Sequence, residues 1–229
     1  IDRSSTTLTI SDLFVIAEQL GFVWKLEKLC RNKALKAAVE KPENVKLFLN
    51  VDGNIIQDKA FIQGFTNRKA MKAGVPASDI VFEITERSDI ENYQILQQIM
   101  KHYADQGYEI ALDDVGAGHS GLNRVVNTTP DYLKADIELV RDIHKYKKKE
   151  IMMKLLLDYC NATGAILIAE GIETAQELEC LHSLGVHYGQ GFFLGKPERA
   201  FGNISAESEE ILERLNGRKN ILFLDISGK

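Results

Sequence analysis

Six short apolar runs along the chain each end on a charged or amide side chain. They are LFLN (to Asn50), VFEITE (Glu83, Glu86), IALDD (Asp113, Asp114), YLKAD (Lys134, Asp136), LIAEG (Glu170) and YGQGFF (Gln190). Stretches with helical periodicity lie between them. Residues 11–21 and 24–40 predict a helix pair, with Ser11 as N-cap and Gly21 as the break. Residues 57–74 predict a helix stopped by Gly74. In 91–106 an apolar stripe of Ile95, Leu96, Ile99, Met100 and Tyr103 predicts another, with Gly107 at its C′ position. A glycine-rich loop, VGAGHSGL, follows the third run. A long helix is predicted over 138–162, ahead of Gly164, with the basic run KYKKKE as its solvated face. Residues 174–184 give one more helix, ended by Gly185.

Helices come first, then strand and helix in repeated alternation. That order predicts a parallel sheet with helical crossovers. In a closed barrel of this kind all strand ends meet on one face, where active sites are built. Pro197 marks the end of the repeat. The tail at 205–229 reads as a charged helix (SAESEEILERL), a turn (NGRKN) and a strand-like ILFLDI. The expected division is a barrel over 1–203 and a C-terminal helix and strand over 204–229, ending the domain or leading to another.

The 229 residues suit one large domain, or a barrel slightly short of the usual ~250 residues. The 28 basic and 33 acidic side chains are intermingled and give a net charge of −5, so nucleic acid polymer is not an expected partner. Cys30, Cys160 and Cys180 fit no metal-ligand spacing. Read as free thiols, they point to a reducing, cytoplasmic setting. No apolar stretch reaches the ~18 residues of a membrane span, and IDRSSTTLT lacks the regions of a signal peptide.

The strand ends carry the chemistry. Asn50, Glu83, Asp113 and Asp114 would crowd oxygen donors at one place, a set suited to a hard divalent cation such as Mg²⁺ or Mn²⁺. Adjacent strand residues point to opposite faces. Asp113 and Asp114 can therefore share a site only where the chain leaves the strand, aided by Gly116 and Gly118. A shared carboxylate could bridge two metals about 3.5–4 Å apart and favour in-line displacement at phosphorus. Lys134 would bind the attacking water or neutralise phosphorane charge, and Glu170 would act as base or complete the second metal site. Singly, each has a bland alternative: an Asx turn at Asp113–Asp114, a surface pair of Lys134 and Asp136, or Glu170 and Glu173 starting the next helix. The repetition at six successive runs is what those alternatives leave unexplained. His119 reads as a loop residue rather than a ligand.

DDVGAGHSGL resembles the DDFGTGYSSL signature of EAL domains, the bacterial cyclic di-GMP phosphodiesterases. LNVD (49–52), EITE (83–86), LKAD (133–136), AEGIET (169–174) and GQGFFLGKP (189–197) match further family motifs in order. The resemblance implies a TIM-like (β/α)₈ barrel that hydrolyses cyclic di-GMP to linear pGpG with two Mg²⁺ or Mn²⁺ ions. It implies Asn50, Glu83 and Asp113 on one metal, Asp113 and Asp114 on the other with Glu170 close, and Lys134 on the catalytic water. Glu86 would anchor the loop after Asp114. Asp136, Gln190 and Arg3 would serve the substrate, and Glu173 would support the site. A homodimer and accompanying GGDEF- or PAS-type regulatory domains are also implied. Val115, Ala117, His119 and Gly121 depart from the signature in its coupling loop. The E-A-L glutamate is not in the chain. Ile1-Asp2-Arg3 fits the last three positions of E-A-L-x-R, so the expectation is a truncated barrel lacking its first two strands. The alternative is an inactive EAL-like receptor or protein-interaction module.

Overall fold

The computed structural model describes residues 8–53, 55–84, 93–116, 121–198 and 201–216. In chain order the elements are α1 (Ile10–Gln19), α2 (Val23–Ala37), β1 (Leu47–Val51), α3 (Phe65–Ala73), β2 (Ile80–Ile84) and α4 (Tyr93–Ala104). Next come β3 (Glu109–Val115), α5 (Gly121–Asn127), β4 (Tyr132–Ala135), α6 (Ile137–Val140) and α7 (Lys147–Thr163). The last are β5 (Ile166–Ala169), α8 (Ala175–Leu184), β6 (Tyr188–Gly189) and α9 (Ala206–Asn216). Among the described residues the strands form one six-stranded sheet in the order β1 to β6. Every neighbouring pair is parallel, as helical crossovers require. The arrangement is that of a barrel wall made from consecutive strand–helix units.

The period-two alternation sorts each strand into two faces. Leu47, Leu49 and Val51 of β1, Ile80, Phe82 and Ile84 of β2, and their counterparts on β3–β5 join the main core under the helices. The opposite face carries Phe48, Val81, Ala111, Tyr132 and Ile168, with Ile166 and Tyr188 against them. Phe48 and Tyr132 meet edge to face at 5.4 Å across this inner layer. One step further along the same face stand Asn50, Glu83, Asp113 and Lys134. An apolar plug thus floors a polar layer at the strand ends.

Several expected boundaries move. Thr9, not Ser11, caps α1, because Thr9 and Asp12 form a reciprocal capping box. The helix expected over 57–74 shrinks to α3, since Gly64 adopts a left-handed φ of 69° just before it. The helix expected over 138–162 breaks into α6, a 3₁₀ turn at 143–145 and α7. Asp142 at φ 56° and an extended Tyr146 interrupt it. The loop after β3 gives way to α5, and the sixth run keeps only two strand residues before it turns. The strand-like ILFLDI lies outside the described residues. Among the described residues, no helix is long and apolar enough to cross a membrane.

Candidate active site

Glu83, Asp113, Lys134 and Glu170 come from β2, β3, β4 and the residue following β5, and all are buried. The Lys134 ammonium lies 2.6 Å from Glu83 Oε1, 3.0 Å from Asp113 Oδ1 and 2.5 Å from Glu170 Oε1. An ammonium has three donors, and here they face three carboxylates. Burial, the largest influence on Lys134, works against its charge. The three carboxylates together outweigh it and hold the amine well above the ordinary lysine range.

Asp114 joins this group through the backbone. It sits at φ 57°, in the left-handed region, and the β3–β4 register shifts between Leu112 and Val115. This bulge brings two adjacent carboxylates to one side without ending the strand, since β3 continues to Val115. The turn expected with the help of Gly116 and Gly118 begins earlier, at the aspartate itself, in a conformation that Asp tolerates better than most residues; Gly116 follows at φ 106°, and Gly118 lies outside the described residues. Oxygens of Asp113, Asp114 and Glu170 all lie within 4.8 Å of one another. Four carboxylates against one ammonium leave a formal charge of −3. This oxygen-only donor set suits hard divalent cations.

Asn50 pairs in register with Glu83 at the end of β1, with its side chain exposed. Gln190 continues the ladder past β6: its N–H donates to Ala169 O at 2.8 Å, and its carbonyl accepts from Ile172 N at 3.0 Å. Asp136 caps α6, its Oδ1 accepting from Glu138 N at 2.7 Å, so it forms no local pair with Lys134. Glu173 points outward and pairs with Arg141 at 3.3 Å, both half exposed. Arg3, Glu86 and His119 lie outside the described residues.

Sequence reasoning overlooked the supports of this layer. The loop after Glu170 is held by Glu177, whose carboxylate accepts from Glu173 N, Thr174 N and Asp142 N at 2.8–3.0 Å. Thr174-x-x-Glu177 is a legible capping box. The same loop turns at Gly171 (φ 69°), where an added Cβ would stand 2.2 Å from Ile137. Gly191 admits the loop's backbone just as closely, a Cβ there falling 2.2 Å from Ile172 N and O.

The fold and the site define a parallel α/β barrel with a carboxylate–lysine centre at the carboxyl ends of its strands. The EAL domain model matches residues 2–197, and the chain belongs to that family. It is 25% identical over 201 residues to the cyclic di-GMP phosphodiesterase PdeA of Borreliella burgdorferi, covering 86% of this chain and 30% of the relative. It is 29% identical over 193 residues to PdeR of Escherichia coli, likewise named a cyclic di-GMP phosphodiesterase, covering 81% and 28%. The chain thus spans under a third of these relatives. Among solved structures it resembles the calcium/cyclic di-GMP complex of Klebsiella pneumoniae BlrP1, with 28% identity and a TM-score of 0.77, covering 86% of this chain and 50% of the other. It also resembles a standalone EAL protein of Vibrio cholerae in its cyclic di-GMP-bound form, with 25% identity and a TM-score of 0.75, covering 86% and 84%.

Proposed function

We propose that this domain hydrolyses one phosphodiester bond of cyclic di-GMP, giving linear pGpG, with two Mg²⁺ or Mn²⁺ ions. The observation that carries the reading is the convergence of Glu83, Asp113, Asp114 and Glu170 around Lys134, with more negative charge than one ammonium balances. In this reading Asn50, Glu83 and Asp113 hold one ion, and Asp113 and Asp114 hold the other, with Glu170 close. The pair of ions supplies an activated water and stabilises charge at phosphorus. Lys134 sets the spacing of three carboxylates. It can hold a water only with a donor that one of them gives up. Gln190, half-buried at the rim, lines the substrate position with Asp136 and Arg3. A homodimer, regulatory partner domains and a cytoplasmic setting belong to the same reading.

The test is turnover of cyclic di-GMP by the full-length protein with Mg²⁺ or Mn²⁺, followed as pGpG formation. Turnover abolished by Asp113→Ala supports the proposal. Tight binding without turnover would assign the receptor role instead. No turnover, with Asp113→Ala indistinguishable from the parent in nucleotide and metal binding, sinks both.

A further inference from the structure

Behind the sheet wall, on the face opposite the carboxylate layer, lies a second charged pair. Glu27 and Arg31 of α2 are each 2% exposed and form an ion pair one helical turn apart. Their remaining groups reach other elements. Glu27 Oε1 accepts from Asp52 N at 2.6 Å. Arg31 donates to Thr66 Oγ1 of α3 and to the Tyr103 hydroxyl of α4, both at 3.2 Å. The guanidinium stands over the rings of Phe82, at 5.1 Å, and Trp24, at 5.3 Å. Phe82 is the outward neighbour of Glu83 on β2. The pair therefore touches the backs of both strands that carry Asn50 and Glu83.

We infer that Glu27, braced by Arg31, is a positioning residue that fixes the end of β1, and with it Asn50, through the Asp52 N–H. The inference rests on the proposed role of Asn50 as a metal ligand. Asp52 follows Val51, the last ladder residue of β1. A backbone donor at that point needs a partner from outside the ladder. A helix carboxylate 25 residues earlier supplies it. Stability alone is a poor account of the pair, because buried ion pairs are often matched or exceeded by apolar residues of similar volume. What an apolar pair cannot do is accept from Asp52 N–H. Groups that orient metal ligands in this indirect way typically govern metal affinity by about 10–100-fold.

The experiment compares Mn²⁺ binding, by calorimetry on the full-length protein, in two charge-free variants. Glu27→Gln with Arg31→Met keeps an acceptor for Asp52 N–H. Glu27→Leu with Arg31→Met removes it. The expected result is near-parent affinity in the first and about tenfold weaker binding in the second. Equal affinity in the two, whatever their melting temperatures, overturns the inference. Should the leucine variant not fold, Glu27→Asp keeps the charge and withdraws the acceptor, and parent-like Mn²⁺ binding by that variant overturns it equally. Asp113→Asn separates the two readings. If it binds Mn²⁺ like the parent, the metal site itself is misassigned. If it loses Mn²⁺ while the leucine variant does not, only the positioning role fails.

Discussion

The Lys134 ammonium lies 2.6 Å from the Glu83 carboxylate although β3 stands between their strands in the sheet. The contact therefore crosses the concave inner face, and one lysine ties β2, β3 and the end of β5 together. Lys134→Met should leave three buried carboxylates without a counter-charge. Loss of one partner from a buried ionic cluster costs about 3–5 kcal/mol. Urea unfolding at neutral pH should show that loss without metal. Saturating Mn²⁺ should then recover more stability in the variant than in the parent, because a ligand of the folded state stabilises by mass action. An equal Mn²⁺ effect in both proteins would remove these carboxylates from the metal site.

That Glu83 and Lys134 share a face was legible in the sequence. Val81 and Glu83, and Tyr132 and Lys134, are two residues apart on short strands, and period two carries each apolar floor residue to a polar one above it. The conformation of Asp114 was not legible, because a DD pair reads equally as strand end or turn. Nor was the break at Asp142, where helical periodicity continues through a single left-handed residue. Glu27 and Arg31 stood at the i, i+4 spacing that usually marks a solvated helix face. Only the packing of α3, α4 and β2 around them turns that face inward.

Asp114 combines a strained backbone with a site carboxylate, and substitutions separate the two. Asp114→Gly keeps the left-handed bulge at no steric cost and removes the carboxylate. It should fold like the parent and bind Mn²⁺ more weakly. Asp114→Val should resist φ 57° and destabilise by roughly 1–3 kcal/mol. Thermal melts paired with Mn²⁺ titrations check both. A glycine variant with undiminished metal binding would show that Asp114 shapes the strand and does not serve the ion.

Gly191 and Gly21 make a contrasting pair. An added Cβ at Gly191 meets Ile172 backbone atoms at 2.2 Å, whereas at Gly21 (φ 67°) nothing lies within 4 Å. Gly21→Ala should cost only the left-handed penalty of about 1–2 kcal/mol. Gly191→Ala must displace the loop that follows Glu170, so it should cost about 3 kcal/mol or more and weaken Mn²⁺ binding as well. Urea midpoints for the two variants decide it. Comparable midpoints would mean that the loop yields easily.

The buried Glu27 carboxyl gives the protein a pH dependence of unusual sign for an acid. Burial pushes it up, to about 7, against the Arg31 guanidinium and the Asp52 N–H, which favour the carboxylate, while the nearby Asp52 charge adds to the rise. The Tyr103 hydroxyl reaches the same guanidinium, and burial raises it further from titration near neutrality. Because the folded value lies above the unfolded one, the folded state binds the Glu27 proton more tightly. The stability this gives is fully present below the ordinary glutamate value of 4.5 and is lost as pH rises through about 7. Paired and hydrogen-bonded carboxylates ordinarily do the reverse. The Glu27→Gln, Arg31→Met variant lacks this titration. Unfolding free energies of parent and variant, measured by urea from pH 4.5 to 8, should therefore diverge by roughly 3 kcal/mol in the variant's favour as pH rises. Parallel curves would mean that Arg31 and the Asp52 N–H hold Glu27 ionised throughout. The desolvation of the pair would then be fully offset by its own contacts.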